Sequence, residues 1–550
     1  MSDDSEHDQA RFTKPSRFAS MTVPRSLLTL LLIVGFIAPS ARAEKDAQDA
    51  IATVRRFADA MIEHGRAGLP DPQLPLFPIV LTRDKFQVPR VKIGNLVTAR
   101  VPQEFKSIAN IHHDLNLYQM FYALTAITGD AKYAQEADRV IGYFLKHCQE
   151  PKYGFFCWGE HLGWDVLKNE PGGFLVDDPK GSMIHEFYRP WIFWDKSWDM
   201  APDACHRFAQ AIWRHQIDHK DGKISFSRHA MIASSGGPSR RGMDFPRHGG
   251  FYIATWAADY QHTKDVDILE AIDQLVAFYE AARDPTSGAI PHGSNDFAFD
   301  KDGRKVQYIY TQSPVGLAID LAKSAPAMPD ALKQRMTALA ESIDKAFLAT
   351  PHEPGPNGKG FVLFCDPKTL QPAEYWQSKE DLTQGKPPRR IPYTGGWRSA
   401  YSGQHPHTWV TPTLIARYEQ TNNEGYKKLL VDCADRYLTS DPEEGIKSSN
   451  KSGQQPDVEA GSIGNVIVLL NAVFKLTQDD KYLARAEFFS AWATKKFWPD
   501  ASPLPRASVR ENIYSAASRS DTLALAMLQT ALLRTQPEKE KELHLIATDR

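Results

Sequence analysis

Thr128-Gly-Asp-Ala-Lys-Tyr-Ala-Gln-Glu-Ala137 is a polar turn between two helical patterns, and its reading decides the fold. Before it, Leu117, Phe121, Leu124 and Ala126 recur at helical spacing, and after it Ala134, Ala137, Val140, Ile141 and Phe144 do the same. Apolar residues three and four apart line one helix face, so the stretch predicts a helical hairpin. The signature returns as Thr263-Lys-Asp-Val-Asp-Ile-Leu-Glu-Ala271, Thr421-Asn-Asn-Glu-Gly-Tyr-Lys-Lys-Leu-Leu430 and Thr477-Gln-Asp-Asp-Lys-Tyr-Leu-Ala-Arg-Ala486. The interval from Thr421 to Thr477 suits one hairpin with its connection, while that from Thr128 to Thr263 leaves room for inserted loops and another pair. Hairpins that cannot bury their apolar faces alone must stack on neighbours. The expected fold is therefore all-α, an α/α toroid of six to seven helical hairpins with long loops and a small β element at Gly360-Phe-Val-Leu-Phe-Cys365. Two more helices are expected. One covers 203–217, with Pro202 near its first turn and Ala204, Phe208, Ala211, Ile212 and His215 on one face; the other covers Ala516 to Leu533.

The 550 residues are 42% hydrophobic and 24% charged, which is enough apolar material for a large core in one or two domains. A formal charge of -2 gives no long-range attraction to nucleic acid or an anionic membrane, so recognition of an acidic ligand has to be local. Five cysteines without CxxC spacing imply neither a disulfide framework nor a zinc knuckle, and buried free thiols are expected. The apolar run Leu27 to Ala38 follows Arg25 and precedes Ala41-Arg42-Ala43, the small-residue pattern of a signal peptidase site. The expectation is export, periplasmic or secreted, with cleavage after Ala43; Met21 is the more ordinary start for such a leader. No later segment is expected to reach the length of a membrane span. The domain reading is a leader at 1–43, a toroid at 44–535 and a charged tail at 536–550.

Long aromatic, Gly- and Pro-rich stretches interrupt the hairpins at Tyr153 to Trp198, Ser234 to Gly250 and Pro354 to Trp409. Loops of that length in a compact domain are usually functional, and a toroid gathers them at one mouth of the ring. They carry metal-ligand types: His161 in Trp-Gly-Glu-His-Leu-Gly-Trp-Asp, Glu186 in Ile-His-Glu-Phe-Tyr-Arg-Pro-Trp, and Arg228-His229 in Phe-Ser-Arg-His-Ala. Two imidazoles and one carboxylate leave positions open on a divalent ion, as a catalytic site does. Arg247-His248 duplicates the Arg-His pair and rivals it. Aromatics and arginines in the same loops suit an acidic polymer. The substrate-binding candidates are Trp164, His185, Tyr188, Arg189, Arg247, His248, Tyr252, Trp397 and Arg398. For each aromatic taken singly, a core position is the commoner outcome.

The ordered set His161, Glu186, Arg228-His229 on a helical-hairpin background resembles the family 2 polysaccharide lyases, the exported or periplasmic pectate lyases. The resemblance covers roughly Trp158 to Ala230. It implies His161, Glu186 and His229 as ligands of a divalent metal, manganese first, with calcium, magnesium or zinc as other fits. It implies Arg228 as the Brønsted base and a uronic-acid polymer as substrate, pectate first. An arginine base is chemically awkward, because guanidinium stays protonated at neutral pH, and a nearby divalent cation would favour the neutral form. Otherwise Arg228 is a carboxylate clamp, and His248 or Tyr252 takes the proton. Three further readings fit the sequence: a glycoside hydrolase pairing Glu186 with Asp165, Asp195 or Asp199; a sugar epimerase; and a noncatalytic carbohydrate-binding solenoid.

Overall fold

A computed structural model describes residues 41–71, 73–89, 107–173, 183–219, 223–232, 237–238, 242–397, 405–443 and 457–549. The apolar run Leu27 to Ala38 and the arginines Arg240, Arg241 and Arg398 lie outside the described residues. The chain opens on α1 (Ala41–His64) and then runs through helical hairpins. These are α2 (Leu115–Thr128) with α3 (Lys132–His147), α4 (Trp194–Met200) with α5 (Pro202–Ala211), α6 (Pro246–Thr263) with α7 (Val266–Ala282), and α8 (Gln312–Ser324) with α9 (Asp330–Ala349). A short α10 (Lys379–Thr383) precedes α11 (Thr411–Thr421) with α12 (Glu424–Thr439) and α13 (Ala460–Thr477) with α14 (Asp480–Phe497). The last helices are α15 (Ser520–Thr535) and α16 (Pro537–Leu543).

The four turns that share the Thr signature are built alike, and the reason is local. Each preceding helix ends on a threonine, and the next residue, Gly129, Lys264, Asn422 or Gln478, takes the left-handed conformation and returns its N–H to the carbonyl four residues back. The threonine hydroxyl caps the carbonyl four residues earlier and accepts the N–H of Asp130, Asp265, Asn423 or Asp479. The side chain of that Asp or Asn then accepts the N–H two residues on, opening the return helix. Such a cap contributes about 1 kcal/mol, so each turn stops one helix and starts the next without tertiary help.

Burial closes the hairpins into a ring. The inner helix α15 packs on α13 and α2, α13 on α11, α11 on α8, α8 on α6, and α6 on α4. Phe193, just ahead of α4, meets Tyr118 and Tyr122 of α2, with ring centroids 6.5 and 5.8 Å apart. Helix α1 packs along α15 as the seventh pair, so among the described residues the first and last long helices close an α/α toroid of six consecutive hairpins and one composite pair. Inner helices such as α8 and α15 are buried almost all round, whereas outer helices such as α12 and α14 bury one face. Short strands pair in six small sheets among the described residues, and Phe364–Cys365 pairs with Ile309–Tyr310 near the expected β element.

Five expectations need correction. Ala126 is exposed, because the last turn of α2 rises out of the core. The helix expected over 203–217 is α-helical only to Ala211, becomes a π-helical turn at Ile212–Gln216, and enters a strand at Ile217. The helix expected from Ala516 begins at Ser520, because Arg519 adopts a left-handed backbone (φ 60°). Helix α13 is long and apolar enough, by length and composition, to cross a membrane, contrary to expectation; 67% of it is buried in the ring, which accounts for that composition. Residues 537–549, expected as a charged tail, pack onto the toroid. Asp549 lies 3.0 Å from Arg189 and 3.4 Å from Arg519; Arg189 and Asp549 are buried and Arg519 is partly so.

That cluster carries a pH prediction. Burial alone would raise the Asp549 carboxyl, but Arg189 and Arg519 outweigh it and hold the group below the ordinary carboxylate range. A depressed folded-state pKa contributes stability above the unfolded value, about pH 4, that is lost as pH falls through the folded value. The urea midpoint should therefore drop less between pH 6 and pH 3 for Asp549→Asn than for the unsubstituted protein.

Candidate active site

The strand Ile184–His185 pairs antiparallel with Ala230–Met231, in the register Ile184↔Met231 and His185↔Ala230. Continued by one residue, that register sets Glu186 opposite His229. Alternation along the strand sends His185 into the core and Glu186 the other way. His185 accepts from Trp158 Nε1 (3.2 Å), meets Gln216 Oε1 through Nδ1 (3.0 Å) and stacks on Phe155. Gln216, at the end of the π-helical turn, also donates to the Ser227 carbonyl (2.7 Å) and so ties both strands together.

His161 arrives on the loop from Gly159 into the strand Leu162–Asp165. Asn110 Nδ2 clamps that loop on both sides, donating to the Gly159 carbonyl (2.5 Å) and the Leu162 carbonyl (3.2 Å). Gly159 has φ +113°, and a Cβ there would fall 1.5 Å from the Glu186 carbonyl oxygen. Only glycine permits that approach. Gly159→Ala should separate His161 from Glu186, with activity and thermal stability falling together; assay and melting curves on the purified variant would check it.

The side chains converge on one carboxylate. Glu186 is fully buried, and its Oε2 lies 3.3 Å from His161 Nε2 and 3.1 Å from His229 Nε2. Its Oε1 accepts from Arg228 and lies 3.2 Å from His248 Nε2, in the first turn of α6. Arg228 Nη1 also donates to Glu160 Oε2 at 3.1 Å. Burial alone would raise the Glu186 carboxyl, but Arg228, His229 and His248 hold it well below the usual range. Burial pulls on Arg228 in the opposite sense, and Glu186 and Glu160 overcome it and raise its pKa. Burial also lowers His161, and it takes His248 down to about 4, so His248 is neutral.

The donors of His161, Glu186 and His229 lie within 4.8 Å of one another. Ligands about 2.1 Å from a shared ion stand roughly 3.0 Å apart in an octahedron and 3.4 Å apart in a tetrahedron, close to the separations from Glu186 Oε2. The residues thus fit a divalent ion with positions to spare.

The cluster borders a basin of about 450 Å³. Its lining includes Glu160, Tyr188, Arg228, Arg247 and His248 together with Tyr308, Tyr310, Trp409, Arg389, Arg390 and Arg519. Asp296, also in the basin, accepts the Tyr308 hydroxyl and lies 3.7 Å from Arg390, so much of its charge is answered locally. The net lining is cationic and aromatic.

Of the substrate-binding candidates, Tyr188, Arg247 and His248 face this basin. Five others do not line it. Trp164 is buried and donates to Asn169 Oδ1 (2.9 Å) from its own hairpin. His185 lies in the core as described. Arg189 is fully buried and spent on Asp521 (3.1 Å) and Asp549. Tyr252 is fully buried among Phe187, Phe226 and Trp256, which also removes it as a rival base. Trp397 packs edge-on against Tyr437, with centroids 5.1 Å apart. Arg398 lies outside the described residues. His112 and Trp158 stack in the core at 4.4 Å, and His407 is buried against Thr394, whereas His405 reaches the basin. All five cysteines are free and buried.

Glu160, Tyr308, Tyr310, His292, Arg389, Arg390 and Arg519 are not among the candidates named from the sequence. Two signals were available: the i, i+2 tyrosines beside Gln312, and the Arg389-Arg390 pair inside a loop already marked as functional. Arg519 gave none.

Fold and site together define an α/α toroid with a His-Glu-His cluster and an adjoining arginine at a cationic, aromatic basin. Residues 95–289, which include His161, Glu186, Arg228 and His229, match the family described as periplasmic pectate lyase. A pectate disaccharide-lyase of Dickeya dadantii (strain 3937) is 22% identical over 202 residues, 33% of this chain and 36% of that protein. The chain thus spans about a third of the length of that curated relative. Among solved structures, a D-mannose isomerase aligns with 88% of this chain and 97% of its own at 11% identity and TM-score 0.44. The cellobiose 2-epimerase of Bacillus thermoamylovorans B4167 covers 88% and 99% at 10% identity and TM-score 0.43.

Proposed function

We propose that the chain is an exported lyase that cleaves uronic-acid polysaccharides by β-elimination, pectate first, with a divalent metal, manganese first, held by His161, Glu186 and His229. The observation that carries the reading is the two-sided use of Glu186: one oxygen faces two imidazoles and the other faces Arg228, at the edge of an arginine-lined basin. The family match over residues 95–289 supports lyase chemistry, and its description as periplasmic supports export.

In such a reaction the C5 proton, acidified by the neighbouring carboxylate, leaves to a base. The electron pair forms the C4–C5 double bond, the C4–oxygen bond breaks, and the departing oxygen takes a proton from solvent. When bound, the cation supplies positive charge to the substrate carboxylate as the enediolate develops. Arg247, Arg389 and Arg390 bind further carboxylates along the chain, and Tyr308, Tyr310 and Trp409 offer ring faces to sugars. Arg228 is the base. Its charge is held in place by Glu186 and Glu160, so turnover should favour alkaline pH, where the neutral guanidine is less rare.

The test follows absorbance of the unsaturated uronate product as the purified protein meets a panel of uronate polymers, with manganese or with a chelator. Chelator-sensitive absorbance is the expected result and names the polymer. Reducing ends released without absorbance would indicate a hydrolase and overturn the proposal.

A further inference from the structure

The segment His544–Asp549 is far from the metal-ligand residues in sequence, yet it docks on the ring, half exposed at His544 to Ala547 and buried at Thr548 and Asp549. It runs between α2, α11, α13 and α15, alongside Asn116, Ile415, Asn465 and Leu525. Gln119 of α2 grips the backbone of Ile546 in both directions, accepting its N–H at 3.0 Å and donating to its carbonyl at 3.0 Å. Thr548 Oγ1 donates to Asn116 Oδ1 at 2.9 Å, and Asp549 Oδ2 accepts from Thr522 Oγ1 at 3.0 Å. These bonds leave Asp549 little freedom, and it faces Arg189 at 3.0 Å and Arg519 at 3.4 Å.

Arg519 is where this segment meets the site. Its guanidinium lines the basin, donates to the Tyr188 hydroxyl at 3.2 Å and lies over the Trp409 ring at 5.2 Å. Its backbone is left-handed, a conformation a non-glycine residue holds only where its surroundings impose it. Gly461 on α13 leaves room for it, because a Cβ there would stand 2.6 Å from the Arg519 Cβ.

We propose that His544–Asp549 is a strut that fixes Arg519 and Tyr188 as a carboxylate-binding fork for the acidic sugar chain. Arg519 touches substrate, and Asp549 and Gln119 are positioning residues that act through it. The inference rests on the acidic-substrate part of the proposed function and is independent of the elimination step. A guanidinium tied at one edge to Asp549 and at another to Tyr188 is held in one orientation at the basin, so less order is lost when a carboxylate binds.

The experiment uses the full chain loaded with manganese and compares Asp549→Asn, Arg519→Lys and Gln119→Ala in steady-state cleavage of oligogalacturonate. The first two should raise KM about tenfold with kcat within about twofold and manganese content unchanged, as expected when a preorganised, two-pronged carboxylate contact outside the reacting centre is lost. Gln119→Ala retains every charge and should raise KM about threefold by slackening the strut; it serves as the readout if Asp549→Asn does not fold. An unchanged KM in Arg519→Lys, or a fall in kcat alone, overturns the proposal, as does a lowered melting temperature with unaltered KM in Gln119→Ala. Calorimetric titration of trigalacturonate in chelator separates the two readings. If the unsubstituted protein cleaves no uronan but binds trigalacturonate more tightly than Arg519→Lys does, the lyase reading fails and the strut stands. Equal binding by the two, or none by either, removes the strut.

Discussion

Replacing Glu186 with glutamine is expected to empty the candidate metal site and to reduce turnover by about a thousandfold. The substitution preserves shape and removes charge. Glu186 has no exposure to solvent and answers His161, His229, His248 and Arg228 with two oxygens. A glutamine amide has one oxygen and one donor, so whichever way it turns, an N–H faces either the imidazoles or the guanidinium. Breaking one member of a buried charge network costs about 3 to 5 kcal/mol, and the lower end applies because Glu160 still serves Arg228. Metal analysis after dialysis, together with turnover, checks the prediction. A variant that kept its metal and a tenth of its activity would sink the ligand assignment.

Arg228→Lys should give the complementary result: metal retained, kcat lowered by about a hundredfold or more, and KM little altered. Arg228 Nη1 is committed to Glu160 and Glu186, and its guanidinium carbon lies 5.5 Å from the Phe245 ring centroid, which leaves the rest of the fork to meet substrate. A lysine ammonium has a single nitrogen. It would settle on the same two carboxylates and present no second nitrogen to the sugar. If Arg228 only clamped a substrate carboxylate, the same variant would raise KM and spare kcat, and the base would have to be sought at His248, which is neutral and already in the basin.

The toroid was legible because its turns are local. Thr128, Thr263, Thr421 and Thr477 each find their partners within four residues, so helix stops and starts could be read from the order of residues alone. The residue types of the site were legible for a similar reason: His161, Glu186 and Arg228-His229 stand in loops, where burial does not explain them. Direction was less legible. Neighbours His185 and Glu186 face opposite ways, and that choice belongs to a strand pair whose partner lies at Ala230–Met231. The aromatic candidates divided likewise: Trp164 and Trp397 filled core space, and Trp409 reached the basin.

What the sequence by itself determined is the all-α hairpin repeat and the inventory of chemistry at the loop-bearing mouth, because both follow from interactions a few residues long or from the types of side chain present. Only the tertiary structure decided which charges are neutralised and which remain for a ligand. Arg189 looked like a substrate contact, yet it is consumed by Asp521, 332 residues away, and by Asp549. Arg519 looked like part of a helix, yet its backbone is left-handed and its guanidinium reaches the basin beside that same Asp549. A buried charge must find its counter-charge wherever the fold brings one, and that search is settled by closure of the ring rather than by neighbours in the chain.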